Sequence, residues 1–298
     1  MTISGKGLIV NQRRSSTRGV FYRVDPFFLC VGLAALLIAT GWVALRIKGH
    51  ASRETSGSEN ADIALMLGGV MTLLALMLGF TFSLSESRFE TRRQLIVDEA
   101  NAIGTTYLRT RTLPEAGGAE MRESLRKYVA LRIEMDTSSA GTPERLGELV
   151  DRSKQLQETL WAQASVLARE NPNPVRGLLL QTLNEMIDIS ATRLAAFKNR
   201  VPFSIYIVLF LVSLTVMWLF GYYFSMQSSR PRLLVVVLAL LIASVMWLIM
   251  DLDQPLRGAI RPSQESLRDL GADLNKGPIE REPETTGAVH PETRGEGR

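Results

Sequence analysis

Four stretches of this chain carry almost no charge, and no other feature constrains its fold as tightly. Phe27–Leu45, Ile63–Ser85, Val201–Ser229 and Leu233–Met250 contain no Asp, Glu, Lys or Arg. A helix needs about 20 apolar residues to cross roughly 30 Å of hydrocarbon. All four stretches are near or above that length. A helix buried in a soluble core usually keeps a polar face, and these have none. They predict four transmembrane helices, over about 27–46, 63–85, 202–226 and 233–250. The first is preceded by basic residues, as a signal peptide would be. Arg46 and Lys48 follow it in place of a small-x-small cleavage site, so it reads as an uncleaved anchor.

Lys and Arg near the ends of spans set orientation. Lys6, Arg13, Arg14, Arg18 and Arg23 precede the first span, and Arg88, Arg92 and Arg93 follow the second. Arg193, Lys198 and Arg200 precede the third, and Arg257, Arg261 and Arg268 follow the fourth. Arg230 and Arg232 are a smaller contrary signal. The balance places both termini and the large middle domain on the cytoplasmic side, with the lipid bilayer as the first partner.

The remaining segments divide the chain further. Residues 1–25 read as a flexible basic arm, and 26–86 as a transmembrane hairpin. Ile47–Ala61 reads as its external loop, with Ser58 or Asn60 capping the next helix. Residues 87–200 read as a cytoplasmic helical domain, and 201–258 as a second transmembrane hairpin. The segment 259–298 is rich in Pro, Gly, Glu and Arg in its distal part, which predicts disorder from about Gly271.

The second helix does not stop at the membrane. No proline interrupts 63–112, a length of about 75 Å at 1.5 Å per residue. Pro114, Gly117 and Gly118 predict its end, and further helices are expected over 119–136, from Pro143 to Glu170 with Thr142 as cap, and from the Asn171–Pro174 turn into the third span. The fold expected is an all-α membrane protein with a helical bundle formed by extensions of helices 2 and 3. Trp161 is expected in the core of that bundle.

Function classes narrow quickly. The net charge of +4 is small, and no basic stripe marks the polar part, so nucleic acid is not an expected partner. The only histidines, His50 and His290, lie outside the predicted helices, no Cys/His set suits a metal, and no Gly-rich phosphate loop follows a strand. Neither catalysis nor a cofactor is expected. The lone cysteine, Cys30, excludes an intrachain disulfide.

The second helix carries the strongest functional signal. At 100° per residue, Ala64, Gly68, Thr72, Ala75, Gly79 and Ser83 share about a third of its circumference. The stripe continues through Glu86, Glu90 and Arg93 to Val97, Ala100 and Gly104. Small residues at this spacing let helices approach closely in lipid. One reading is therefore a packing seam against neighbouring spans. The other is the lining of a central path in an oligomer, with Phe80 and Phe82 near a constriction and the charges at its mouth. After the fourth span, Asp251 and Asp253 read as an exit turn at headgroup level, as a cation site, or as partners for arginines of the second helix.

Gly79-Phe-Thr-Phe-Ser, Arg88, Arg92, Arg93, Glu99-Ala-Asn-Ala-Ile-Gly-Thr, Tyr107-Leu-Arg and Leu113-Pro together resemble the bacterial bestrophin-like membrane family. Asp251-Leu-Asp-Gln-Pro-Leu-Arg-Gly and Gln264 to Leu270 resemble its C-terminal signature. The resemblance covers about 60–270. It implies a multi-pass protein of the bacterial inner (plasma) membrane, since bestrophins have four spans, cytoplasmic termini and long helices reaching into the cytoplasm. Bestrophins are pentameric anion channels, so it also implies a homo-oligomer and a small anion. The bestrophin neck sequence is absent, and Phe80 and Phe82 are loose analogues. Two functions stay open: an oligomeric anion channel lined by the second helix, or a non-conducting scaffold or sensor whose cytoplasmic domain binds a partner.

Overall fold

A computed structural model describes residues 26–50, 57–137, 143–227, 230–254 and 258–276. The described elements are eight α-helices: α1 (Pro26–His50), α2 (Gly57–Thr110), α3 (Glu115–Thr137), α4 (Pro143–Glu170), α5 (Pro174–Lys198), α6 (Phe203–Gln227), α7 (Pro231–Asp253) and α8 (Glu265–Asn275). The expected arm at 1–25 and the Thr142 cap lie outside the described residues. Four helical stretches are long and apolar enough to cross a membrane: α1, the first half of α2, α6 and α7.

In the membrane layer α1 packs on α6 and α7, and α2 packs on the same two helices. Consecutive α1 and α2 are not packed partners, which corrects the hairpin expected over 26–86. The layer's core gathers Leu37, Leu74, Leu209, Val216, Met217, Val235, Ala239, Ile242 and Met246. Ser58 and Asn60 lie inside α2, which begins at Gly57, so neither caps it.

Beyond the apolar layer α2 continues unbroken to Thr110, about 80 Å in all. Its second half joins α3, α4, α5 and α8 around a core that includes Ile96, Ile103, Met121, Leu125, Tyr128, Leu160, Leu183 and Leu267. Trp161 is half exposed and lies outside that core. Helix α3 begins at Glu115, four residues before the expected start, and takes Gly117 and Gly118 into its first turn. A Cβ on Gly118 would meet the Thr110 carbonyl oxygen at 2.8 Å, and one on Gly117 would meet Leu167 Cδ2 at 2.8 Å. These glycines permit close approach there and do not break the helix. At the other end, Asn173 caps α5 by accepting a hydrogen bond from the Arg176 amide. Pro202 and a buried carboxylate that takes the Val201 amide at 2.9 Å mark the break between α5 and α6.

The C-terminal segment is ordered further than its composition suggested. Helix α8 runs through Gly271 to Asn275, with Leu267 and Leu274 buried. A Cβ on Gly271 would lie 3.2 Å from Ile133, and Arg126 donates to the Leu274 carbonyl at 2.9 Å. The apolar residues Leu267, Leu270 and Leu274 recur at helical spacing within polar surroundings. A chain ending at Leu270 should therefore melt lower than one ending at Lys276. Losing the Leu274 side chain from the core costs about 2 kcal/mol, worth roughly 4–8 °C. Equal midpoints would show that the second half of α8 contributes nothing.

Candidate functional site

Within the apolar layer α2 has one covered face. Leu67, Leu74, Thr81 and Ser85 are buried at seven- and four-residue spacings. The small-residue stripe lies on the far side: Gly68, Thr72, Ala75, Gly79 and Ser83 are all exposed. A Cβ added at Gly68 or Gly79 would have nothing within 4 Å. The seam thus does not pack against the other spans of its own chain. Phe80 is 68% exposed and Phe82 36%. Two residues apart on a continuous helix they point about 200° apart, so they cannot close together on one axis. Phe82 is the nearer of the two to the stripe.

The stripe becomes charged beyond the layer. Glu86, Glu90 and Arg93 are exposed on the same side. Arg93 Nε and Nη2 donate to the two Glu90 carboxylate oxygens, both at 2.8 Å. The Arg93 hydrogen bond holds the Glu90 carboxyl below its ordinary range. A groove of about 530 Å³ follows this face and is lined by Glu86, Glu90, Gln94 and Asp98 among others. Farther along, the stripe rotates into the bundle: Ala100 is buried, and a Cβ on Gly104 would touch Leu270.

Asp251 and Asp253 are 2% and 1% exposed, not at a solvated exit turn. Asp251 accepts from the amides of Ala259 and Ile260 at 2.8 and 2.9 Å. Gly258 lies so close that a Cβ would meet the Asp251 carbonyl oxygen at 2.7 Å. Asp253 accepts from the Val201 amide at 2.9 Å and from the Tyr206 hydroxyl at 3.4 Å. The carboxylates hold different segments and do not converge on one cation. Among the described residues no group of three His, Cys, Asp or Glu is placed to hold a metal. The arginines of α2 do approach: Arg92 Nη2 donates to the Leu252 carbonyl at 2.5 Å.

From the sequence, Arg92, Asp98, Glu99 and Arg109 read as surface or interhelix pairs; Glu99 forms an interhelix centre whose burial and partners that reading did not name. Glu99 is fully buried in the bundle. Arg132 of α3 reaches it with Nε at 2.7 Å and Nη2 at 2.8 Å. Arg193 of α5 reaches it with Nη1 at 2.6 Å, and the Tyr128 hydroxyl donates at 3.2 Å. Gln157 of α4 donates in turn to the Tyr128 oxygen at 3.0 Å. Burial alone would push the Glu99 carboxyl up, but the two guanidiniums outweigh it and hold the group below the usual carboxylate range. The centre ties four helices together. Its signal was present in the spacing: Ile96, Glu99 and Ile103 share one helical face, so Glu99 falls among core residues.

The sequence profile of the bestrophin-like domain matches residues 31–267. No curated protein matches the chain. Among solved structures, a tryptophan-to-alanine variant of a bacterial bestrophin homologue from Klebsiella pneumoniae is similar, with a TM-score of 0.65 at 15% identity, over 84% of this chain and 97% of that one. A tyrosine-to-alanine variant of a Klebsiella pneumoniae homologue gives 0.64 at 15% identity, over 83% and 97%. At that identity the likeness is one of fold. The profile, however, spans most of the sequence, from the first apolar helix to α8, and the chain belongs to the bestrophin-like family.

Proposed function

We propose that the protein is a non-enzymatic, oligomeric ion channel whose path is lined by α2 from identical copies. The observation that carries this is the uncovered face of α2. From Gly68 to Ser83 a row of small side chains faces away from its own chain, and it leads into Glu86, Glu90 and Arg93. A helix bare along one side from Gly68 to Arg93 wants identical neighbours around an axis. The family resemblance supports five copies, and the Lys/Arg distribution supports a bundle and termini on the cytoplasmic side of a bacterial inner membrane. An impermeant reagent applied to intact cells should therefore label a cysteine at His50 and spare one at Lys276.

The sign of the permeant ion follows from the mouth. The resemblance implies a small anion. The charges along the groove lean the other way: Glu86, Glu90 and Asp98 stand against Arg93. Rings of carboxylates favour cations. Two arms test the reading. In a Cys30→Ser background, cysteines at Thr72, Ala75, Gly79 and Ser83 should react with charged thiol reagents, and those at Leu74, Met77 and Leu78 should not, because the reagent needs water and a thiolate. In planar bilayers Glu90→Gln should raise the anion-to-cation permeability ratio by about twofold or more. Unreactive cysteines along the whole stripe sink the path, and an unchanged ratio places Glu90 away from it. The non-conducting scaffold reading draws on one feature, the exposed Leu108, Val175 and Leu178, and gains only if no current is found.

A further inference from the structure

We infer that Ser85, Arg88 and Arg92 form a buried site for a small monovalent anion of halide size, where the apolar layer meets the bundle. The three residues lie at i, i+3 and i+7 on α2, on the face opposite the stripe. Ser85 is 0% and Arg92 3% exposed. Ser85 Oγ, Arg88 Nη1 and Arg92 Nε and Nη1 are all buried without a hydrogen-bond partner.

The surrounding groups do not supply what is missing. Arg92 Nη2 is already engaged with the Leu252 carbonyl. Asp253, the nearby carboxylate, is committed to the Val201 amide and the Tyr206 hydroxyl. It feels both Arg92 and Arg88, so the two guanidiniums of the site share one carboxylate. The other acid of this turn, Asp251, is held by the amides of Ala259 and Ile260.

Buried donors left unmade, and buried charge left unbalanced, are among the least tolerable features of a fold. A water offers two lone pairs and no charge. An anion accepts from such donors and also offsets the surplus positive charge. The donors are enclosed, which fits a bare halide and disfavours a headgroup phosphate drawn in with its lipid. The bound ion would hold α2 against the end of α7 and the α5–α6 break, and so join the two layers. The site faces away from the proposed path, and it stands whether or not the protein conducts.

The test uses the full chain purified in detergent. Its melting midpoint is measured in sodium bromide and in sodium gluconate at equal ionic strength, because a ligand of the folded state raises the midpoint by mass action. Bromide should raise it saturably, by roughly 3–5 °C. Arg88→Gln, at the least buried member, should fold and lose this response, whereas the surface change Lys154→Gln should keep it. An anomalous bromide peak in crystals should lie within hydrogen-bond reach of Arg92. Equal midpoints in the two salts, an undiminished response in Arg88→Gln, or bromide peaks only elsewhere would each overturn the site. So would a midpoint raised by added anionic lipid and not by bromide, which assigns the donors to a headgroup.

Discussion

Glu99→Gln should cost the bundle about 3–5 kcal/mol, the largest loss expected from any isosteric change in this chain. The substitution keeps shape and removes only charge. It leaves Arg132 and Arg193, 5% and 2% exposed, facing each other without the carboxylate that separates them. The Gln amide would also turn donors toward guanidiniums that have only donors to offer. The midpoint of purified protein should fall by roughly 10 °C or more, with matching loss of monodisperse material on size exclusion. A midpoint within a degree or two of wild type would show that the bundle relaxes or admits water around the arginines. The apolar triple change Glu99→Met, Arg132→Leu, Arg193→Met is the control, since exchanging a whole buried ion cluster for packed apolar groups is often neutral.

The same centre sets a pH dependence. In the folded bundle the Glu99 carboxyl lies below its ordinary value, which is about 4.3 in an unfolded chain. Its stabilisation is therefore fully present above that value and is lost as pH falls through the lower, folded one. Acid should destabilise the wild type below about pH 4, and the part of that slope due to Glu99 should vanish in Glu99→Gln.

The sequence exposed some of this architecture and concealed the rest for physical reasons. Prolines at 143 and 174 start α4 and α5 where a helix tolerates a missing amide hydrogen, so the start of α4 could be read to the residue and that of α5 to its turn. The continuity of α2 followed from the lack of proline over 63–112. Glycine is less explicit. Gly117 and Gly118 read as breakers, yet they sit in a helical turn because Leu167 and the Thr110 carbonyl come too close for a side chain. Composition misled at α8, where three leucines at helical spacing outweigh polar surroundings. The buried acids were the hardest to read. Glu99, Asp251 and Asp253 are ordinary surface residues by type, and only their placement among apolar neighbours on one face marks them as internal.

The membrane layer supplies the sharpest contrast, between Gly221→Leu and Gly79→Leu. A stripe of small residues says that something comes close, but it does not name the partner. Within one chain the close approach is made elsewhere, by Gly41 of α1 and Gly221 of α6. A Cβ on Gly221 would collide with the Gly41 carbonyl oxygen and lie 3.0 Å from Ala44 Cβ. Gly41 is as confined on its other side, where a Cβ would come within 2.5 Å of Val235 Cγ1. A backbone oxygen cannot rotate aside, so Leu at 221 must drive α1 and α6 apart and undo the layer's core around Leu37 and Met217. Overpacking alone costs about 1–3 kcal/mol, and separating two helices adds to it. Folded yield should collapse. Gly79 has open space on its own chain, so Gly79→Leu should leave yield and midpoint near wild type. If α2 lines a path, that variant should nevertheless block it, because each copy then places a butyl group where hydrogen stood. Preserved folding with lost current would support the stripe as a lining. Folding and current both preserved would place Gly79 toward lipid. A yield as poor as that of Gly221→Leu would make the stripe a packing surface between copies on which folding itself depends, and the path would have to be sought on another helix.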